Sequence, residues 1–284
     1  MKKFCFLVQC RDVSTERVAY ELKDHDSDIK ILTFNHKSTN PDVIYCPETT
    51  WTAGRNILLK HISEYVENYQ YIIYLDDDIS VYTVHENMSG LAVFKANLIK
   101  FKPGIGVPNY FWHLKNNIFS RCGKILNSLK FNSLNLTSYP ICYDPCVVGI
   151  STHIVKKLLP YHEKFDSTSW WISGDIFCQI ARRVVPDSII QFNNVWSANS
   201  LSDPYPRNDN GTAGMKKFNQ VFNNYTRRVL KINESGRSYL WPHNRGIEFI
   251  EKFTDVGSSI CNKFSIDAIY SDEYLAIHNK FWEN

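Results

Sequence analysis

The sequence predicts an α/β protein, with a mostly parallel central sheet flanked by helices and a C-terminal helical extension. Three observations carry this expectation. Short apolar runs alternate with segments of helical periodicity through the first part of the chain. The run Tyr71-Ile72-Ile73-Tyr74-Leu75 is apolar throughout, as a strand covered on both faces is. From Ala213 onward the pattern turns helical.

Phe4 to Val8 reads as the first strand, and Thr15 to Leu22 as a helix with Ser14 or Thr15 as a possible cap. Ile29 to Phe34 and Val43 to Cys46 read as the next two strands. Thr50 to Tyr65 is helical, with Ile57, Leu58, His61, Ile62 and Tyr65 at helical spacing. After the strand ending at Leu75, Gly104 to Phe111 reads as a strand, and residues 112–140, rich in Asn, Ser and Lys, as a long surface excursion. Cys146 to Ile150 is a strand, Thr152 to Leu159 a helix, Trp170 to Val185 a helix, Ser188 to Phe192 a strand and Met215 to Val229 a helix. No repeat and no Gly/Ser/Pro linker divides the chain. One domain over 1–284 is expected, with a core over about 3–200 and the remainder, about 201–284, packed back onto it.

The chain has 284 residues, 44% hydrophobic and 21% charged, which is enough for a substantial core. A net charge of only +3 gives no footing for nucleic acid or an anionic membrane as partner. The 16 Tyr, 17 Phe and 7 Trp stand out; most must be core residues, and any surplus at the surface would suit a sugar site, where pyranose C–H faces stack on rings. No segment approaches the roughly 18 apolar residues of a membrane span. The apolar stretch after Met1-Lys2-Lys3 stops at Gln9, too short for a signal h-region, so a cytoplasmic protein is expected. The 8 Cys are scattered, and Cys142 with Cys146 lacks the second close pair of a zinc site, which favours buried free thiols.

The strongest local signal is the strand that runs straight into Asp76-Asp77-Asp78. In open α/β sheets, ligands bind beyond the carboxyl ends of the strands. Three adjacent carboxylates there repel one another unless a cation or hydrogen-bond donors neutralise them. Alternation along an extended segment would turn Asp76 and Asp78 one way and Asp77 the other. Such oxygen ligands suit Mg²⁺ or Mn²⁺, which take one or two carboxylates plus phosphate oxygens and offset charge on a departing diphosphate. The competing reading is an acidic loop that caps a helix or is solvated at the surface.

At this point the sequence resembles the GT-A glycosyltransferases, whose Asp-x-Asp motif follows a hydrophobic strand as Asp76-Asp77-Asp78 does here. Thr52-Ala53-Gly54-Arg55-Asn56, about twenty residues upstream, looks like the family's small-residue–Arg–Asn segment. There Arg55 could pair with the diphosphate or hold an aspartate, and Asn56 could bond the nucleotide or brace the loop. Ser169-Trp170-Trp171-Ile172-Ser173-Gly174-Asp175, about 97 residues after Asp78, resembles the helix-start motif that supplies the catalytic base of inverting members. Trp170 or Trp171 could stack on the acceptor sugar; the competing reading of Asp175 is a helix N-cap, which is compatible with the favoured catalytic role. Gln9-Cys10-Arg11-Asp12 falls where the family's first loop meets base and ribose, although the usual Pro-x-Tyr/Arg-Asn wording is absent. In Trp241-Pro242-His243-Asn244-Arg245, His243 is the best candidate for a third metal ligand beside Asp78 and Asp76, and Arg245 could touch phosphate. His278 is the second candidate. The resemblance spans about residues 3–200 and implies a UDP- or GDP-sugar donor, a glycan or other hydroxyl acceptor, and inversion.

A sugar-1-phosphate nucleotidyltransferase shares this architecture but needs a Gly-rich loop after the first strand, and residues 9–14 contain no Gly. A non-catalytic carbohydrate-binding module of the same fold, with structural acids, is the other alternative. A metal-dependent nuclease would need a basic groove.

Overall fold

The computed structural model describes residues 2–11, 22, 24–83, 85, 87–111, 137–140, 143–167, 171–185, 188–199, 247–249 and 270–283. Of residues 111, 138–140, 171, 172, 175, 183, 199 and 247–249 only the backbone is described. The expected helix at Thr15–Leu22 apart from Leu22, the expected helix at Met215–Val229, and residues 112–136 of the expected excursion at 112–140 lie outside the described residues.

The strands are β1 (Phe4–Cys10), β2 (Ser27–Thr33), β3 (Val43–Tyr45), β4 (Tyr71–Asp76), β5 (Ile79–Thr83), β6 (Ile105–Phe111), β7 (Thr137–Pro140), β8 (Val147–Ser151), β9 (Ile189–Asn199) and β10 (Ile247–Phe249). The helices are α1 (Trp51–Ile62), α2 (Gly90–Phe101), α3 (Thr152–Leu158), α4 (Trp171–Val184) and α5 (Asp272–Trp282), with a 3₁₀ turn at Val66–Asn68. The strands form one sheet in the order β10-β7-β9-β6-β8-β4-β1-β2-β3, with β5 also paired to β9. This agrees with the expected α/β architecture of a central sheet flanked by helices. The sheet, however, is mixed rather than mostly parallel. β3, β2, β1 and β4 run parallel, whereas β8 is antiparallel to both β4 and β6, and β5 and β7 are antiparallel to β9.

The apolar runs form strands because both faces of the sheet are covered. On one face Cys5 and Leu7 of β1 and Ile72 and Tyr74 of β4 pack with Leu58 and Leu59 of α1, and with α3 and α4. On the other, Phe4, Phe6, Val8, Tyr71, Ile73 and Leu75 pack with Val93, Phe94 and Leu98 of α2. Even-numbered residues of β4 therefore look toward α1.

Two elements between Asp78 and Gly104, β5 and α2, have no counterpart among the expected ones. The start of α2 was marked in the sequence, since Ser89 caps it by accepting from Ala92 N at 3.1 Å. β9 also runs past the expected end at Phe192. Its pairing with β6 shifts register between Pro108 and Asn109, so that Asn193, Asn194 and Val195 have no partner in β6 and form a bulge on that side. β7 turns the last residues of the expected excursion into sheet.

The described parts of the C-terminal extension join the core through β10, which pairs with β7, and through α5. The last carbonyls of a helix have no partner within it, and α5 supplies partners at the end of α3. Tyr270 Oη donates to Lys157 O at 2.5 Å, and His278 Nε2 faces Lys156 O. Just beyond the helix, Trp282 Nε1 donates to Leu159 O and Tyr274 Oη to Pro160 O, each at 2.9 Å. His278 is 3% exposed and spends Nε2 on a carbonyl, so it is a packing residue and not a metal ligand. Cys5, Cys10, Cys146 and Cys178 are buried and Cys46 half-buried, all as free thiols, in keeping with the expectation for those positions. Among the described residues no helix is long and apolar enough to cross a membrane.

His162, 5% exposed, stacks on Tyr274 of α5 with ring centroids 3.9 Å apart. Burial, with nearby His278 adding to it, holds its imidazole down to about 3 from the ordinary 6.5. Between those values the unfolded chain binds a proton that the folded chain refuses. The neutral ring's contribution is therefore whole above pH 6.5 and is lost as pH falls toward 3, with a slope approaching about 1.4 kcal/mol per pH unit. Urea melts at pH 7, 6 and 5 should show a steeper loss for the wild type than for His162→Phe. Parallel slopes would contradict this assignment.

Candidate active site

The register of the parallel pair β1–β4 sets Gln9 beside Asp76. Both strands end on the same edge, so Arg11 leaves β1 next to Asp77 and Asp78. β4 stops at Asp76 and the next two residues form a turn, so alternation does not continue through the triplet. Asp76 keeps the inward direction of Ile72 and Tyr74, toward α1, while Asp77 and Asp78 both meet Arg11.

α1 carries the partners of Asp76. Thr50 caps the helix by accepting from Ala53 N at 3.0 Å. A Cβ at Gly54 would lie 2.5 Å from Gln9 Nε2, so glycine lets the helix close on β1, and Gln9 Nε2 donates to Thr50 O at 3.1 Å. Arg55 Nη2 then reaches Asp76 Oδ1 at 2.6 Å, and Trp51 Nε1 donates to both Asp76 oxygens at 3.1 Å. Arg55 Nη1 donates to Pro145 O at 2.9 Å and to Tyr161 Oη at 3.3 Å. The guanidinium carbon lies 3.9 Å from the Trp51 ring centroid and 5.0 Å from that of Tyr74. Arg55 is 1% exposed. Burial opposes its charge, but Asp76 outweighs burial, and the guanidinium is held protonated more firmly than in water. Of the two roles considered for Arg55, this geometry is that of holding an aspartate.

Asn56 has the geometry of a brace. Its Nδ2 donates to Tyr161 O at 2.9 Å and Glu163 Oε1 at 2.7 Å, and its Oδ1 accepts from Tyr161 N at 2.8 Å. Arg11 N donates to Asp77 Oδ2 at 2.9 Å, and Arg11 Nη2 pairs with Asp78 Oδ2 at 3.1 Å. Burial pushes the Asp77 carboxyl up, and the charge of Asp76 adds to this, against the Arg11 amide.

Asp144 is a site residue that the sequence reading did not single out. β8 runs antiparallel to β4, with Val147 opposite Leu75, so the segment entering β8 arrives at the carboxyl end of β4. Asp76 N donates to Cys146 O at 3.1 Å, and Cys146 N to Asp144 Oδ1 at 3.0 Å. Burial raises the Asp144 carboxyl, and the charge of Asp76 raises it further. The signal was an acid immediately before an apolar strand, which takes on meaning only once β8 is known to run against β4.

α4 is tied to the same place. Ser173 Oγ donates to His162 O at 2.6 Å and Asp166 Oδ1 at 3.2 Å, while Asp166 Oδ2 accepts from the cap residue Thr50. A Cβ at Gly174 would lie 2.9 Å from Pro145 Cγ and 3.9 Å from Trp51, so the glycine lets α4 close against the partners of Asp76. Asp175 follows it in the second turn of α4, which excludes the N-cap role. Asp12, Trp170, His243 and Arg245, and the side chains of Trp171 and Asp175, lie outside the described residues.

Among the described residues no three His, Cys, Asp or Glu side chains form a group that could hold a metal. The carboxylates present fit Mg²⁺ or Mn²⁺ only in the manner where one or two acids hold the ion and phosphate oxygens complete its shell. The Asp78 side chain is 14% exposed and pairs with the more accessible Arg11, and that of Asp76 is 20% exposed and pairs with Arg55.

Removing one partner of a buried ion pair costs about 3–5 kcal/mol, because the other charge is left unpaired. Arg55→Met should approach the lower end of that range in denaturant melts. Arg55→Lys should recover only part, since an ammonium cannot bond Asp76, Pro145 and Tyr161 from one stacked plane. Full recovery with lysine would show that charge alone matters at this position.

Neither family models nor curated proteins match this chain. Among solved structures it is similar to S. aureus TarS 1-349 in complex with UDP, at 10% identity and TM-score 0.45 over 69% of this chain and 60% of that one. It is also similar to TarS 1-349 in complex with UDP-GlcNAc, at 10% identity and TM-score 0.46 over 77% and 64%. A third is A197 from STIV, at 10% identity and TM-score 0.42 over 71% and 87%. The chain thus spans less than two thirds of those two TarS structures. Overlap of this extent carries no argument about what this chain does.

Proposed function

We propose that this chain is a metal-dependent glycosyltransferase that moves a sugar from a nucleoside diphosphate sugar to an acceptor hydroxyl, with inversion. The observation that supports it is the meeting of Asp76, Asp77, Asp78 and Arg11 where the parallel strands β1 and β4 end. Mn²⁺ or Mg²⁺, when bound, neutralises the charge that develops on the leaving diphosphate. Asp78 would hold the ion, with Asp76 kept in place by Arg55 and Trp51 rather than reaching out itself. Arg11, released from Asp78, would turn to the phosphates, with Asp12 on the nucleoside side. Asp175 takes the proton of the acceptor hydroxyl as its oxygen attacks the anomeric carbon and the bond to phosphate breaks. Trp170 and Trp171 would flank the acceptor, and His243 and Arg245 would complete the metal and phosphate contacts.

One observation favours a second reading. Arg55 and Arg11 already pair with Asp76 and Asp78, so the acids have counter-charges without a metal. That suits a non-catalytic carbohydrate-binding module. Thermal shifts with UDP, GDP and their sugar conjugates, with and without Mn²⁺, separate the two. A ligand at 100 times its Kd adds about 2.7 kcal/mol. The proposal expects a metal-dependent shift for one nucleotide class that is absent in Asp78→Ala. It also expects Asp175→Asn to keep the shift while losing release of nucleoside diphosphate. No shift with any nucleotide, in folded protein, would leave the binding module as the better reading.

A further inference from the structure

Asp166 touches two helices at once. Its Oδ2 accepts from the hydroxyl of Thr50, the cap of α1, and its Oδ1 lies 3.2 Å from Ser173 Oγ in the first turn of α4. A carboxylate is the short side chain that offers an acceptor oxygen to each side. The segment that carries Asp166 is fixed at its other end as well. Asn56 of α1 bonds the Tyr161 amide and carbonyl at 2.8 and 2.9 Å, and Glu163 Oε1 at 2.7 Å. Asp166 N donates to Glu163 O at 3.0 Å, which closes the turn that presents the carboxylate. The buried Ser173 hydroxyl also lies 2.6 Å from His162 O, so both of its acceptors stand on this one segment.

Thr50 and Trp51 are neighbours at the start of α1. Trp51 Nε1 donates to both oxygens of Asp76, and Gln9 Nε2, beside Asp76 in the sheet, donates to Thr50 O. On the other side, Gly174 and Asp175 follow Ser173 directly, and Gly174 packs against Pro145 and Trp51. Asp166 thus joins the residues that hold Asp76 to the turn of helix just before Asp175. Apolar packing has no direction and would let α4 slide or rotate slightly, whereas hydrogen bonds to a fixed carboxylate hold it in one place. We infer that Asp166 is a positioning residue that sets α4, and with it Asp175, relative to Asp76. This rests on the glycosyltransferase reading above, in which Asp175 takes the acceptor proton. Misplacing a reacting group by about 1 Å costs on the order of a hundredfold in rate. Loss of Asp166 therefore falls on turnover and spares the diphosphate seat at Arg11 and Asp78.

Asp166→Ala cuts both contacts, whereas Asp166→Asn can keep them. The amide oxygen still accepts from Thr50, and the amide nitrogen can donate to Ser173 Oγ, whose own proton goes to the closer His162 O. Affinity for UDP and GDP with Mn²⁺ is measured by calorimetry. Turnover is measured as release of the nucleoside diphosphate from UDP- and GDP-hexoses, with water as the acceptor. The expected result for Asp166→Ala is a nucleoside diphosphate affinity and a KM within about threefold of wild type, and a kcat lower by about tenfold or more. Asp166→Asn should recover most of that kcat. Ser173→Ala cuts the tie from the helix side and serves if Asp166→Ala does not fold; it should show the same split between kcat and affinity. An equal loss of kcat in Asp166→Asn and Asp166→Ala would overturn the inference, because charge and not the bonds would then matter. Unchanged kcat in Asp166→Ala, or a matching loss of nucleotide affinity, would overturn it too. If the folded wild type binds no nucleoside diphosphate, the glycosyltransferase reading fails first and this inference falls with it.

Discussion

The buried pair of Arg55 with Asp76 is the constraint on which the rest of the site depends. Asp76 ends a strand sealed on both faces, where an unpaired carboxylate would be strongly disfavoured. Arg55 supplies the counter-charge from α1, and its second amino group takes the Pro145 carbonyl. One guanidinium thus joins the end of β4, the start of α1 and the segment entering β8. Trp51, Tyr74 and Tyr161 surround it, so it has little freedom to leave. Buried ion pairs often contribute little net stability against an apolar replacement. What this one supplies is position, because every other acid at the site is placed relative to Asp76.

A division of labour among the carboxylates follows from their surroundings. Asp76 is committed to Arg55 and Trp51. Asp77 is turned to a backbone amide and its carboxyl is raised by burial. Asp78 pairs with a partly exposed arginine, an interaction that a divalent cation with phosphates could displace at modest cost. Asp144 is turned to the Cys146 amide, and its carboxyl is raised by burial. Four acids in one corner therefore differ in how available they are, and that difference arises from β-sheet register and the path of two short segments.

Much of this was legible in the sequence, and the remainder was not for definable reasons. The parallel strands β1 to β4 were read from their apolar runs, since a strand covered on both faces needs no alternation to be recognised. α1 was read from its spacing, and Asp76 to Asp78 from the abrupt change of polarity. β5 and α2 were missed although Ser89 marks the helix start, because the partly buried β5 lacks a continuous apolar run. The mixed character of the sheet was missed because strand direction is a tertiary property, and with it went Asp144, which joins the site only through the antiparallel entry of β8. The choice between the two roles of Arg55 needed burial, which the residue type does not encode. His278 was weighed as a ligand on residue type alone, and the structure uses it at the end of α3.

The central claim is that the carboxyl ends of β1 and β4 form the seat of a nucleoside diphosphate. A crystal structure of the protein grown with Mn²⁺ and the nucleoside diphosphate that most stabilises it tests this most directly. The account predicts the diphosphate within bonding distance of Arg11, with the ion between it and Asp78, while Arg55 still holds Asp76. A nucleotide bound elsewhere, with the Arg11–Asp78 pair intact, would contradict it.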